Sequence, residues 1–262
     1  MSNNYFQFKK FVVRQDSCAM KVGTDGTLLG SWARGGSRIL DIGTGTGLVA
    51  LMMAQRFEYA ELCAVEIDRD AHLQAMDNVE NSPFNGRIML FNQSIQDFST
   101  EYADEKFDSI VCNPPFYVNS LGCPDDKRHI ARHSSSLPFD VLLRSVKNLL
   151  SDEGRLSVVI PTESHPSFDA EARMSGFRCS RLCKIRTVER KTPKRMLLEY
   201  VLHGGIEMQH EEHCLQDNDG RRSEWYSDIT SEFYVRRYCS NISDASNHAD
   251  FVVLFCFFRK NN

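Results

Sequence analysis

The chain has 262 residues, 42% of them hydrophobic and 25% charged, with a formal net charge of −4. That apolar content excludes disorder for the bulk of the chain, and the charge excludes a uniformly basic nucleic-acid binder while leaving room for a local basic patch. The length suffices for a large domain with a sizeable core. Nine cysteines, an odd number without a Cys-x-x-Cys pair, fit neither a disulfide framework nor a structural zinc site, and are expected as free thiols in a reducing cytoplasm. The opening MSNNYFQFKKF has no signal-peptide core, and the apolar run Phe251 to Phe258 is too short to cross a bilayer. A monomer with no membrane contact and no metal is expected.

Residues 1–37 read as an extension holding Phe6, Phe8, Phe11, Val12 and Val13. From residue 38 strand-like and helix-like segments alternate. Ser37 to Asp41 is a short apolar strand, and Thr46 to Arg56 a helix. Glu61 to Glu66 is a strand, Asp70 to Asn81 a helix, and Arg87 to Phe91 and Phe107 to Cys112 are strands. Phe139, Leu142, Leu143, Val146, Leu149 and Leu150 give Pro138 to Leu150 helical periodicity. Gly154 to Ile160 is a strand and Ser164 to Met174 a helix. Phe177 to Val188 and Arg195 to His203 are two strands around a basic turn. The pattern predicts a seven-stranded, mostly parallel α/β sheet with helices on both faces and right-handed crossovers. The last two strands lack an intervening helix, so one is antiparallel. Residues 38–238 are read as one domain, with 207–219 an acidic, polar insertion. Residues 239–262 are an atypical tail that ends rich in phenylalanine.

The strongest local signal is Asp41-Ile-Gly43-Thr-Gly45-Thr-Gly47 between a strand and a helix. Glycines there let the backbone approach a ligand closely, and ligands of open α/β sheets bind at the carboxyl ends of strands. The spacing is not the dinucleotide Gly-x-Gly-x-x-Gly, and Asp41 ahead of the first glycine disfavours a phosphate and favours a cationic ligand. Glu66, ending the next strand, can accept both ribose hydroxyls of an adenosine, with Asp68 capping the following helix. Asp97 can accept the adenine amino group, with Ile67 or Phe98 against the ring. Together these pieces resemble the Rossmann-like class I fold of methyltransferases that use S-adenosyl-L-methionine.

The strand Phe107 to Cys112 runs into Asn113-Pro114-Pro115-Phe116. The prolines fix φ and remove two donors. A planar conjugated amine is a poor nucleophile because its lone pair is delocalised. The Asn113 side-chain oxygen and the Pro114 carbonyl can each accept one amine hydrogen, turning the lone pair toward a sulfonium methyl group. These dipoles also stabilise the positive charge that grows on nitrogen, and Phe116 can stack on the acceptor ring. No metal and no strong base is needed. Cys112 reads as a buried strand-end thiol rather than a nucleophile.

Such a motif serves adenine N6, guanine N2 of ribosomal RNA, or a protein glutamine; a non-catalytic RNA-binding module is the reading from a different class. Arg181 to Arg195 is basic, and Arg186, Arg190, Lys191, Lys194 and Arg195 are candidate RNA contacts near the cleft. His210-Glu-Glu-His213-Cys214 lacks a metal-binding spacing.

Phe6-Gln-Phe8-Lys9, Cys18-Ala-Met20-Lys21-Val22-Gly23-Thr24-Asp25-Gly26 and Leu28-Leu29-Gly30-Ser-Trp32 look like the opening of the tRNA1(Val) adenine-37 N6-methyltransferase family. Asn113-Pro-Pro-Phe116, Ala131-Arg132-His133, Lys191-Thr-Pro-Lys194-Arg195 and Ser231-Glu-Phe233-Tyr234 extend the resemblance over about residues 5 to 236. The family often has Tyr where this chain has Phe116. The resemblance implies methylation of the adenine beside the anticodon of tRNA. By position, Lys21, Thr24 and Asp25 would form a lid over the methionine part of the cofactor. Asp41, Gly43, Gly45, Gly47, Glu66, Ile67, Asp97 and Asn113 would hold the cofactor, and Asn113, Pro114, Pro115 and Phe116 the base. Unpaired anticodon bases are splayed out cheaply.

Overall fold

The computed structural model describes residues 4–16, 21–114, 137–204 and 207–235. In chain order the elements are Tyr5–Gln7 (β1), Val12–Arg14 (β2), Thr24–Trp32 (α1), Arg38–Ile42 (β3), Leu48–Arg56 (α2), Glu61–Glu66 (β4), Arg69–Glu80 (α3) and Ile88–Asn92 (β5). They continue as Ile95–Glu101 (α4), Phe107–Cys112 (β6), Phe139–Leu149 (α5), Leu150–Pro161 (β7), His165–Met174 (α6), Arg178–Arg186 (β8), Arg195–Val201 (β9), Gln209–Cys214 (β10) and Glu224–Ile229 (α7).

The main sheet has the order β10-β8-β9-β7-β6-β3-β4-β5. Strand β9 is antiparallel to both its neighbours, and every other pairing in that sheet is parallel. The central strands are covered on both faces, so Ile39, Leu40 and Ile42 of β3 and Ile110, Val111 and Cys112 of β6 are all buried. One face carries α1, α2 and the N-terminal hairpin; the other carries α4, α5 and α6. Gly30 permits the close approach of the first two helices, since a Cβ there would lie 2.8 Å from the Met52 sulfur.

One expectation is corrected. The sheet has eight strands rather than seven, because part of the acidic segment 207–219 forms the edge strand β10 beside β8. Charged residues suit an edge, and cross-strand pairs Arg181–Glu211 and Arg186–Glu212 hold it there. The described part of the N-terminal segment packs into the sheet domain's core. Phe8, Phe11, Val13, Leu28, Leu29 and Trp32 lie in the same core as α2, and Phe233 and Tyr234 join them. Residues 239–262 lie outside the described residues.

Candidate active site

The parallel strands β3 to β6 end along one edge, and the residues expected to bind the cofactor lie in the loops leaving that edge. Gly43, Gly45 and Gly47 have φ of 69°, 58° and 80°, the left-handed region that disfavours any other residue. A Cβ at Gly43 or Gly45 would meet nothing within 4 Å, so the loop borders open space at both positions. The Asp41 carboxylate is buried under this loop. Its Oδ2 accepts from Thr44 Oγ1 at 2.6 Å and from the Ala50 amide at 3.1 Å. Burial pushes its pKa up to about 7; the bonds from Thr44 and Ala50 lower it and nearby Glu66 raises it. Asp41 thus faces inward and shapes the loop, rather than presenting a charge to a cationic ligand.

Glu66 closes the loop from the next strand. Its Oε2 accepts from the Gly45 amide at 2.8 Å and its Oε1 from the Asp68 amide at 2.9 Å. A carboxylate has about four acceptor positions, so both oxygens retain capacity for hydroxyl donors. Asp68 caps α3 by accepting from Ala71, as its position predicted. Ile67 is 62% exposed, a large apolar side chain uncovered at the strand end. Asp97 lies in the first turn of α4, where its Oδ2 accepts from Ser94 Oγ at 2.6 Å and its amide donates to the same hydroxyl. That is a helix cap, and among the described residues the other carboxylate oxygen has no hydrogen-bond partner. Phe98 is corrected: it is 1% exposed and packed among Phe91, Tyr102 and Phe107, so it cannot face an adenine.

At the end of β6, the Asn113 side-chain oxygen is buried with no hydrogen-bond partner among the described residues. Leaving such an acceptor unsatisfied costs roughly 1–3 kcal/mol, and a bound donor would recover it. Pro114 is buried; Pro115, Phe116, Arg132 and His133 lie outside the described residues. The Cys112 thiol is held well above its ordinary pKa by burial, then by Asp41 and Glu66, which keeps it protonated and non-nucleophilic.

The basic turn between β8 and β9 lies at the same edge. Cys112 pairs with Val158 and Pro161 with Arg195, so the turn begins two strands from Asn113, about 10 Å across the sheet. Arg190, Lys191 and Lys194 are exposed. Two other candidates are engaged within the protein: Arg186 with Glu212, and Arg195 with Asp25 at 2.8 Å. Thr24 and Asp25 begin α1 and so lie beside this turn, while Lys21 is exposed just before it.

Two positioning residues escaped the sequence reading. Asn78 is buried in α3 and donates to the Arg14 carbonyl at 2.9 Å and the Thr46 carbonyl at 2.8 Å, while accepting from the Arg14 amide. It ties the N-terminal hairpin to the glycine loop. Its signal was present: it falls on the buried stripe Ala71, Gln74, Ala75, Asn78 and Val79. Asn92 donates to the Glu66 carbonyl at 2.9 Å and steadies the end of β4.

Comparison with known proteins agrees with this geometry. The family model "Methyltransferase small domain" matches residues 27–168. The chain is 45% identical over 244 residues to the tRNA1(Val) (adenine(37)-N6)-methyltransferase of Bacteroides thetaiotaomicron, covering 90% of this chain and 99% of that protein. Its counterpart in Parabacteroides distasonis is 43% identical over 238 residues, covering 90% and 100%. Among solved structures, a predicted O-methyltransferase from Agrobacterium tumefaciens superposes with a TM-score of 0.63 at 19% identity, covering 82% of this chain and 100% of that one, a likeness of fold. With near-complete coverage of both relatives, this chain belongs to the tRNA1(Val) (adenine(37)-N6)-methyltransferase family.

Proposed function

We propose that the chain transfers a methyl group from S-adenosyl-L-methionine to N6 of adenine 37 in tRNA1(Val), and that Asn113 orients the accepting amine. The observation that carries this reading is the buried Asn113 oxygen, without a hydrogen-bond partner among the described residues, at the edge where the glycine loop opens.

The residues present fit the cofactor. Open space at Gly43 and Gly45 would admit its backbone-hugging portion. Glu66 would receive the ribose hydroxyls, exposed Ile67 would cover one face of the adenine, and the free oxygen of Asp97 would take the adenine amine. Gly47 starts α2, and Lys21, Thr24 and Asp25 would close over the methionine end. Bound there, S-adenosyl-L-methionine supplies an electrophilic methyl group on a sulfonium.

The protein's task is then positional. Asn113 Oδ1 and the Pro114 carbonyl accept the two amine hydrogens of the target base, which aims the nitrogen lone pair. Their dipoles are fixed before reaction, so the charge growing on nitrogen is stabilised without reorganisation. Phe116, which follows the two prolines in the sequence, would supply a ring to stack on the base. Exposed Arg190, Lys191 and Lys194 neutralise phosphates of the anticodon arm.

Purified protein incubated with unmodified tRNA1(Val) and S-adenosyl-L-methionine should yield N6-methyladenosine at position 37 by mass spectrometry of nuclease digests. Methylation confined to guanine N2 or to protein glutamine would overturn the reading, as would no transfer at all.

A further inference from the structure

The segment His210-Glu-Glu-His213-Cys214 has no metal spacing along its own strand. Folding supplies the missing donor from the neighbour. In the parallel pairing of β8 and β10, Glu211 lies opposite Cys183, and His213 follows two residues on, on the same face. One ligand atom from each of Cys183, Glu211 and His213 lies within 4.8 Å of the other two. We propose that these three side chains form a divalent transition-metal site, with zinc the ion that suits them.

The donor set is the argument. Thiolate, imidazole and carboxylate are the three ligand types zinc combines, and three protein ligands leave a fourth position for water. Zinc–sulfur and zinc–nitrogen bonds of about 2.3 and 2.0 Å require the donors to close by about 1 Å, which rotation of the partly exposed Glu211 and His213 side chains supplies. The imidazole is already oriented. It stacks flat on Trp225 of α7, with centroids 4.3 Å apart and planes at 6°, and its Nε2 lies 3.5 Å from Glu211 Oε2.

Arg181 is the neighbouring cation. It bonds the other Glu211 oxygen, Oε1, at 3.1 Å, while its guanidinium lies over the Trp32 ring. Glu211 can therefore bridge Arg181 and a metal, one oxygen to each, as carboxylate ligands with outer partners do. Zinc binds the thiolate form of cysteine, so uptake would release the Cys183 proton to solvent. The site would pin the edge strand β10 to the sheet, and α7 to β10 through the stack of His213 on Trp225.

Full-length protein stripped with chelator should be titrated with cobalt(II), then with zinc against a chromophoric chelator. One equivalent of cobalt with a thiolate-to-cobalt charge-transfer band, displaced by zinc, is expected. Cys183→Ser should abolish the band. His213→Asn, at a partly exposed position, should weaken zinc binding by more than the roughly 10–100-fold cost of losing an outer-shell partner. Cys214→Ser, a nearby thiol outside the triad, should change neither. Absence of a thiolate band, or binding indifferent to both Cys183→Ser and His213→Asn, overturns the proposal.

Discussion

The Asp25 carboxylate meets the Arg195 guanidinium at 2.8 Å, joining the first turn of α1 to the first residue of β9. The pair links the segment expected over the cofactor to the turn expected on RNA. Both side chains are about a third exposed, so the pair adds only about 0–1 kcal/mol of stability. Asp25→Asn and Arg195→Gln should therefore leave the melting temperature within a few degrees while lowering kcat/KM for tRNA about tenfold, or about 1.4 kcal/mol. The double exchange Asp25→Arg with Arg195→Asp should recover part of the loss. Full activity in either single variant would show that the contact does not position the site.

Gly45 tests the loop. Its φ of 58° would cost an alanine roughly 1–2 kcal/mol, and the new Cβ would project into the open space beside the loop. Gly45→Ala should weaken S-adenosyl-L-methionine binding by calorimetry at least about tenfold, beyond any loss of stability. Unchanged affinity would mean that the cofactor lies elsewhere.

Asp41 gives a signed pH dependence. Its carboxyl ionises near 3.9 when unfolded and near 7 when folded, so between those values the native state holds a proton that the unfolded chain has released. This group's contribution to stability falls as pH rises from about 4 to about 7 and is level above that. The total change is on the order of 4 kcal/mol. Asp41→Asn keeps an oxygen for Thr44 and Ala50 but cannot ionise. Urea denaturation at pH 5 and pH 8 should show a smaller loss across that interval in the variant than in the parent; equal losses would place the titration elsewhere.

Arg190, Lys191 and Lys194 are the exposed cations of the β8–β9 turn. Replacing all three with alanine should raise KM for tRNA, flatten its dependence on salt by up to about three phosphate contacts, and leave KM for S-adenosyl-L-methionine unchanged. An unaltered salt slope would exclude this turn from the RNA surface.

The sheet was legible wherever both faces are buried, because strands such as β3, β4 and β6 are short apolar runs bounded by a loop signal. The edge strand β10 was hidden because its residues are polar and its partners, Arg181 and Arg186, lie about 30 residues earlier. Gly43, Gly45 and Glu66 could be read from position alone. Phe98 could not: one helical turn decides whether it faces a ligand or the core, and Phe91, Tyr102 and Phe107 draw it inward. Asn78 needed helical phase to be noticed, and Cys183 with Glu211 needed strand register. Spacing along the chain carries neither.

The central claim is that the Asn113 oxygen grips the accepting amine. Single-turnover methyl transfer to tRNA1(Val) by Asn113→Ala, measured alongside calorimetric binding of S-adenosyl-L-methionine, tests it most directly. Binding should stay close to that of the parent while transfer falls by about a hundredfold or more, the scale of losing one preorganised polar group at a developing charge. Transfer at the parental rate would contradict it.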